Sequence, residues 1–472
     1  MDLGPPGQIC DPILYEPHGE RALYTALSHR WGTKPPLSTT KATLSERRKK
    51  IDFSSLPRTF QDAIKVTRSL TIRYIWIDSL CIIQDDERDW EVESSKMAAV
   101  FEGSHLTLSA SAAAHSGAGC WRPFKTSLRF EFRGIKYFAR IACDEHFEAV
   151  GPDGRKNVAP LAQRGWAFQE SLLSRRVLHF GMHQLGWKCI TRHTSEDGTK
   201  DSCDTALKLP APFAISSIPV GLRTFLNMKD NFDRYQAWYR LVEDYSARKF
   251  TFEKDRLIAL AGVVSIFRTI CRDIPLAGLW QNCLQRSLLW EVSSIDKAKT
   301  PNLAHGIPSW SWAYVDVPIQ FPSILEIRVS KINVVQASVT YTGQELTSRI
   351  ASACLILSGL VGTITIGRRD ISRSNSCFLH PLTDIESADS PVLGYCHFDF
   401  NPYPAGSRLN FMVISADFAG TASILVLRPM DPAVYPEYAR VGVGKLHEFS
   451  SLNESSVRWL SQRPTQQVIS LV

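Results

Sequence analysis

Tyr74-Ile75-Trp76-Ile77-Asp78-Ser79-Leu80-Cys81-Ile82-Ile83-Gln84 decides how the amino-terminal part of this chain is read. The run from Ile72 to Ile77 is short, apolar and rich in β-branched and aromatic residues. That predicts a fully buried strand. The run stops abruptly on Asp78 and Ser79. A carboxylate at the end of a buried strand is costly unless it is paired, hydrogen-bonded or solvated in a crevice. In open α/β sheets, the crevice beyond the carboxyl ends of the strands is where ligands bind. One segment thus points to a parallel sheet and to a site.

Working outward, residues 23–113 read as a β-α-β-α-β unit. Leu23 to Ser28 forms a short strand that breaks into His29-Arg30-Trp31-Gly32. Pro57 suits the first turn of a helix, with Ser54 or Ser55 as its cap. Phe60, Ala63, Ile64, Thr67 and Leu70 then recur at helical spacing. Asp89 is placed to cap a second helix that runs to about Phe101, and Leu106 to Ala110 supplies a third strand. Alternating strands and helices imply a parallel sheet with right-handed crossovers. On the second helix, Glu93 falls on the same face as Trp90, Met97, Val100 and Phe101. A carboxylate in an apolar stripe is either ion-paired or at the edge of a cavity, which makes it a functional candidate. The structural alternative is an ion pair or a bond to backbone.

Arg164 to Leu173 reads as a short helix with Trp166, Gln169, Glu170 and Leu173 on one face. A buried Glu170 there asks for Arg164 or Arg175, in a structural role. Arg176 to Phe180 and Gln184 to Cys189 read as a hairpin turning near Gly181. Residues 232–292 are mainly helical, with Tyr235, Trp238, Tyr239, Val242 and Tyr245 in a core stripe. Beyond Pro308-Ser309-Trp310-Ser311-Trp312 the chain turns strand-like, at Ile324 to Val329, Ala353 to Ile366, Asn410 to Ile414 and Ser423 to Leu427. The Ser/Asp-rich stretch Ser372 to Ser390 reads as a loop. Three parts are expected: an α/β domain over 1–200, a helical region over 201–315, and a β-rich module over 316–472.

The 472 residues are 44% hydrophobic and 21% charged, an ordinary globular composition that allows a large core. A net charge of +7 is too mild to argue for nucleic acid. Arg47-Arg48-Lys49-Lys50 reads as a solvated face or loop, with a localisation or phosphate patch as the alternative. Eleven dispersed cysteines, no C-x-x-C and no signal-like amino terminus predict reduced thiols in the cytoplasm. No apolar run is long enough to span a bilayer, so no membrane association is expected. Gly442-Val443-Gly444 lacks the third glycine of a dinucleotide loop.

The strand ends gather Ser28, His29, Asp78, Ser79 and Cys81. A nucleophile reading pairs Cys81 or Ser79 with His29, oriented by Asp78, but no nucleophile elbow is present. Cys81 reads better as a small buried hydrophobe. A metal reading through Cys189, His193 and Cys203 lacks a fourth ligand, so no metal and no required cofactor are expected. His179 and His183 are expected at the surface of the hairpin turn. Glu93, Asp78 and His29 are the catalytic candidates. Ser28, Trp31, Ser79 and Gln84 are the candidates for holding a ligand.

These residues also resemble a known family, the fungal heterokaryon incompatibility (HET) domain. Leu27-Ser28-His29-Arg30-Trp31-Gly32 is similar to its opening L-S-[HY]-x-W-G motif, and Leu56 to Ile64 to its next block. Tyr74 to Gln84 resembles the block Y-[IL]-W-I-D-S-L-C-I-[NI]-Q, and Asp89-Trp90, Glu93 and Met97 the following D-W-x-x-E-x-x-x-M. Arg164-Gly165-Trp166, Gln169-Glu170, Leu173-Ser174 and Arg176 resemble the closing R-[GA]-W-x-x-Q-E-x-x-L-S-x-R. Phe101 stands where the family usually has tyrosine. The resemblance implies non-self recognition and programmed cell death through protein partners or self-association. It also implies a TIR-like, flavodoxin-like α/β fold. Some TIR domains cleave NAD with a helix glutamate beside the strand ends, and Glu93 is the corresponding position here, with NAD as a candidate substrate. A second hypothesis is a small-molecule tailoring enzyme of fungal secondary metabolism built on the same scaffold. A third is a catalytically inactive interaction module.

Overall fold

The computed structural model describes residues 1–33, 35–121, 128–139, 159–189, 191–198, 201–203, 228, 230–293, 306–322, 329–369, 376–380, 392–417, 420–430, 435–447 and 464–472. The chain divides into two compact units. The first comprises Met1–Asn227, Arg248–Thr251 and Ala259–Val263; the second comprises Met228–Ala247, Phe252–Ile258 and Val264–Val472.

The first unit is built on a mixed sheet. Strand β1 (Tyr24–Ser28) lies between β2 (Tyr74–Ile77) and β3 (Leu106–Ser109), parallel to both. β4 (Leu128–Phe132) and β5 (Ile135–Ala139) pair separately as a hairpin. β6 (Arg176–Phe180) extends the parallel set beyond β3. β7 (Leu185–Cys189), β8 (Arg192–Ser195) and β9 (Asp201–Cys203) then add antiparallel strands, giving the order β2-β1-β3-β6-β7-β8-β9. The parallel β-α-β-α-β unit and the hairpin at Gly181 are as the sequence predicts, and the antiparallel half makes the sheet mixed. The order β2-β1-β3 reverses direction between β1 and β3, the kind of switch point where the strand ends open a crevice.

Helix α1 is the short turn Leu44–Arg47, and α2 spans Arg58–Ser69. α2 buries Phe60, Ala63, Ile64 and Thr67 against Leu27, Ile75 and Ile77 of the sheet. The one-turn α3 (Asp78–Cys81) follows β2 directly, and α4 spans Glu87–Gly103. On the other sheet face, Met97 and Phe101 of α4 pack with Ala26, Trp76 and Trp166, and the Trp76 and Phe101 rings meet edge-on at 5.5 Å. α5 (Gly165–Leu173) lies on this side too.

Several local expectations are corrected. β2 is not fully buried: Ile75 and Ile77 are buried while Tyr74 and Trp76 are half-buried, because β2 is an edge strand of the sheet. Its outer edge is met by the amino terminus, where the Ile75 amide donates to Met1 O at 3.1 Å and the Leu3 amide to Arg73 O at 2.9 Å. The cap of α4 is Asp86, whose side chain accepts from the Arg88 and Asp89 amides; Asp89 instead accepts from the Ile83 amide at 2.8 Å. Ser54 and Ser55 belong to a 3-10 turn capped by Asp52, and Pro57 takes the N-cap position of α2, which has no side-chain cap. In the basic run Arg48, Lys49 and Lys50 are exposed, Arg48 pairing with Glu16 and Lys50 with Asp11, and only Arg47 is buried, donating to Thr39 Oγ1.

In the second unit, the helix Asn231–Ser246 and the part of the helix Ala261–Cys271 from Val264 on carry the expected aromatic stripe, with Trp238, Tyr239, Tyr245 and Phe267 buried. The β-rich part forms a nine-stranded sheet among the described residues, centred on the long strand Ile350–Arg369. Gly442-Val443-Gly444 lies inside the strand Glu437–Leu446, which accounts for its failure as a dinucleotide loop. Ser376–His380 is a strand, a correction to the expected loop; 370–375 and 381–391 lie outside the described residues, as does most of Ile324 to Val329. Arg440 is fully buried and paired to both oxygens of Asp399 at 2.9 and 3.0 Å. It also donates to Leu288 O and Trp290 O and lies 3.3 Å from the Trp290 ring centroid. No helix among the described residues is long and apolar enough to cross a membrane.

Candidate functional site

The carboxyl ends of β1 and β2 and the start of α5 bring six polar side chains together. Ser28 ends β1, and His29 and Trp31 follow it. Asp78 follows β2 without a linker, because the chain turns into α3 at once. Arg164 precedes the first residue of α5, and Glu170 sits on the buried face of that helix. The Arg164 position is fixed by the backbone bond from the Gly165 amide to Lys249 O at 3.0 Å. The neighbouring Gln169 is held through its Oε1, which accepts from the Gly262 amide at 3.0 Å.

Asp78 is the hub on one side. Its Oδ2 accepts from Trp31 Nε1 at 3.0 Å and from Arg164 Nη2 at 3.4 Å, and its Oδ1 accepts from the Ser79 amide at 2.6 Å. The awkward strand-end carboxylate is thus satisfied by hydrogen bonds and a guanidinium. Glu170 is the hub on the other side. Its Oε2 accepts from Ser28 Oγ, and its Oε1 lies 3.7 Å from Arg164 Nη1. Arg164 stands between the two carboxylates and also donates to His29 O at 2.6 Å. Of the two arginines foreseen for Glu170, Arg164 is the partner; Arg175 lies 3.8 Å from Glu102 instead.

Burial dominates the electrostatics. Ser28, His29 and Glu170 are only 3%, 1% and 1% exposed. Burial pushes the Glu170 carboxyl up to about 7, and the Asp78 charge pushes the same way; Arg164 and the Ser28 bond pull it back. Burial pushes the His29 imidazole down to about 4, against the pull of Asp78. His29 Nδ1 is 3.6 Å from Asp78 Oδ1, beyond hydrogen-bond length, and neither ring nitrogen has a hydrogen-bond partner. The ring packs edge-on against Phe60 at 4.9 Å. At neutral pH His29 is therefore an uncharged ring inside a polar core, while Glu170 is poised to exchange its proton.

The structure brings Ser28, His29, Trp31 and Asp78 together with Arg164 and Glu170. Ser79 and Gln84 face loop backbone. Ser79 Oγ donates to Leu37 O at 3.1 Å, and Gln84 Nε2 donates to Asp78 O at 3.2 Å and Ile82 O at 3.1 Å. Glu93 is not joined to the cluster by any hydrogen bond or ion pair among the described residues. Its Oε1 accepts from Lys96 Nζ at 2.7 Å, one turn along α4. Cys81 Sγ accepts from the Ile77 amide at 3.5 Å and does not meet His29, so the nucleophile pairing is not assembled. His179 is buried and its Nδ1 meets Ser111 Oγ at 3.0 Å, contrary to the expected surface position; His183 is exposed. The Cys203 side chain lies outside the described residues, and no group of three metal-type ligands occurs among those described.

The sequence showed that Glu170 shares an apolar helix face and needs an arginine. It did not show that the strand-end carboxylate needs the same arginine. That follows only from placing the α5 start beside the ends of β1 and β2, a separation of 86 residues between Asp78 and Arg164.

The fold and site define an α/β unit whose strand ends are closed by a buried, arginine-bridged pair of carboxylates. Residues 24–170 of this chain match the family model of the Heterokaryon incompatibility protein (HET), a span that runs from the start of β1 to Glu170. Neither the curated proteins nor the solved structures contain a match to the chain.

Proposed function

We propose that this protein acts in incompatibility-type signalling, with the HET domain as the effector that triggers cell death through protein–protein contact. The observation that carries this reading is the family match over residues 24–170. The cluster supports it: three of the family-like sequence blocks are tied into one hydrogen-bonded core by Arg164. A core in which Ser28, His29, Asp78 and Glu170 are buried serves to fix the loops around it, and those loops present the surface a partner meets. The β2-β1-β3 order supports a TIR-like, flavodoxin-type reading of the unit.

The enzymatic form of this reading is cleavage of NAD. It needs an acid or base at the strand ends. Glu170 lies at the strand ends with a raised pKa, though buried at 1% exposure, so it is tested beside Glu93. Inducible expression of the full chain in a filamentous fungus is expected to arrest growth. Arg164→Ala, at equal protein level, is expected to restore it. Nicotinamide release from NAD by the purified chain, abolished by Glu170→Gln or Glu93→Ala, would assign the enzymatic form. Normal growth at confirmed high expression of the wild type would overturn the proposal.

A further inference from the structure

At the amino ends of β1, β2, β3 and β6, the sheet carries a concavity, at the opposite end of these strands from the cluster. Its volume is about 440 Å³, within the range of small-molecule sites. Ile72 and Leu106 form a buried apolar base, while Leu23 and Leu70 stand at 62% and 43% exposed. Tyr74 and Trp187 add ring surface. Two exposed leucines converging on a single trough are an unpaid hydrophobic surface that a ligand's apolar body would cover.

The permanently charged residues of the trough are both arginines. Arg73, His105 and Arg176 line it, and none of its lining residues is Asp or Glu. Arg73 is neutralised by a two-pronged pair to Asp2, at 2.7 and 2.5 Å. Arg176 is exposed and donates Nη1 to His105 O at 3.2 Å; no carboxylate pairs with it among the described residues. A guanidinium beside an apolar trough is matched by a carboxylate, which its planar fork binds through two parallel bonds. At the rim, Thr71 holds a left-handed backbone (φ 57), unfavourable for a β-branched residue.

We propose that this trough binds a small amphiphilic anion of the fatty-acid type, its carboxylate on Arg176 and its chain along Leu23 and Leu70. The site is independent of the strand-end cluster and of the signalling reading. Titration calorimetry of the full chain with decanoate tests it. Saturable one-to-one binding is expected, weakened about tenfold or more by Arg176→Glu and by Leu23→Asp. Both positions are exposed, and unchanged melting temperatures verify that the variants fold. Decanol and decyltrimethylammonium are expected to bind at least about tenfold more weakly than decanoate. Absence of saturable decanoate binding, or equal binding by both variants, would overturn the site. Equal binding of decanol or the cation would overturn its assignment to anions.

Discussion

His29 and Glu170 have opposite titration behaviour within one buried core. Glu170 holds its proton more tightly folded (about 7) than its ordinary value of 4.5, so its stabilising contribution is complete below about pH 4.5 and is lost as pH rises through about 7. His29 is the reverse: its value falls from 6.5 to about 4, so its contribution is complete above about pH 6.5 and is lost as pH falls through about 4. Each is worth about 3 kcal/mol at full titration, and the two offset each other in the overlapping window. Glu170→Gln is therefore expected to gain stability relative to wild type as pH rises from 4.5 to 7. His29→Leu is expected to gain relative to wild type as pH falls from 6.5 to 4. Melting curves across that range check both, and profiles parallel to wild type would contradict them. Arg164→Ala should cost about 3–5 kcal/mol, because it leaves two buried carboxylates without their shared cation. Asp78 and His29 were legible as strand-end residues. The centrality of Glu170 and Arg164 was not, since it depends on long-range placement rather than spacing.

Elements with a clear period were the most legible. α2 shows its buried face at 60, 63, 64 and 67, and the β6–β7 hairpin turns where Gly181 interrupts the alternation. Caps were less so. Asp86 and Asp89 both precede the apolar stripe of α4, and only the backbone decides which accepts from the first helical amides. Asp86→Ala should cost about 1 kcal/mol, whereas Lys96→Ala should change stability by less than about 0.5 kcal/mol, because the Lys96 side chain is exposed where it pairs with Glu93. Chemical denaturation separates the two. α2 ends in a Schellman arrangement, with the Ile72 amide donating to Thr67 O and the Thr71 amide to Arg68 O. Thr71 occupies the position glycine prefers there, so Thr71→Gly should stabilise by up to about 1 kcal/mol. A lowered unfolding midpoint in that variant would contradict the strain argument.

At the scale of the molecule, each unit holds an arginine paired to buried carboxylate: the part-buried Arg164 in the first and the fully buried Arg440 in the second. Arg440→Met leaves Asp399 buried and unpaired, in a site where burial already raises its carboxyl above the usual range. A loss of about 3–5 kcal/mol is expected. Hydrogen exchange should report it as faster exchange in the strand Ile350–Arg369, and unchanged protection there would contradict it. The sequence foretold the change from α/β to β-rich architecture, because the residue period changes from helical to alternating after Trp312. It did not foretell that the helices from Asn231 onward share a compact unit with the sheet, since that depends on contacts across more than a hundred residues.

We propose that the region matching the HET family acts as a cell-death effector whose strand-end core must be intact. Vital-dye uptake after induced expression of the full chain in fungal hyphae measures this most directly, with wild type and Arg164→Ala compared at matched protein levels. Dye-positive compartments that increase with wild-type expression and stay at background for Arg164→Ala are the predicted result. Background staining at high wild-type expression, or equal killing by a folded Arg164→Ala protein, would contradict it.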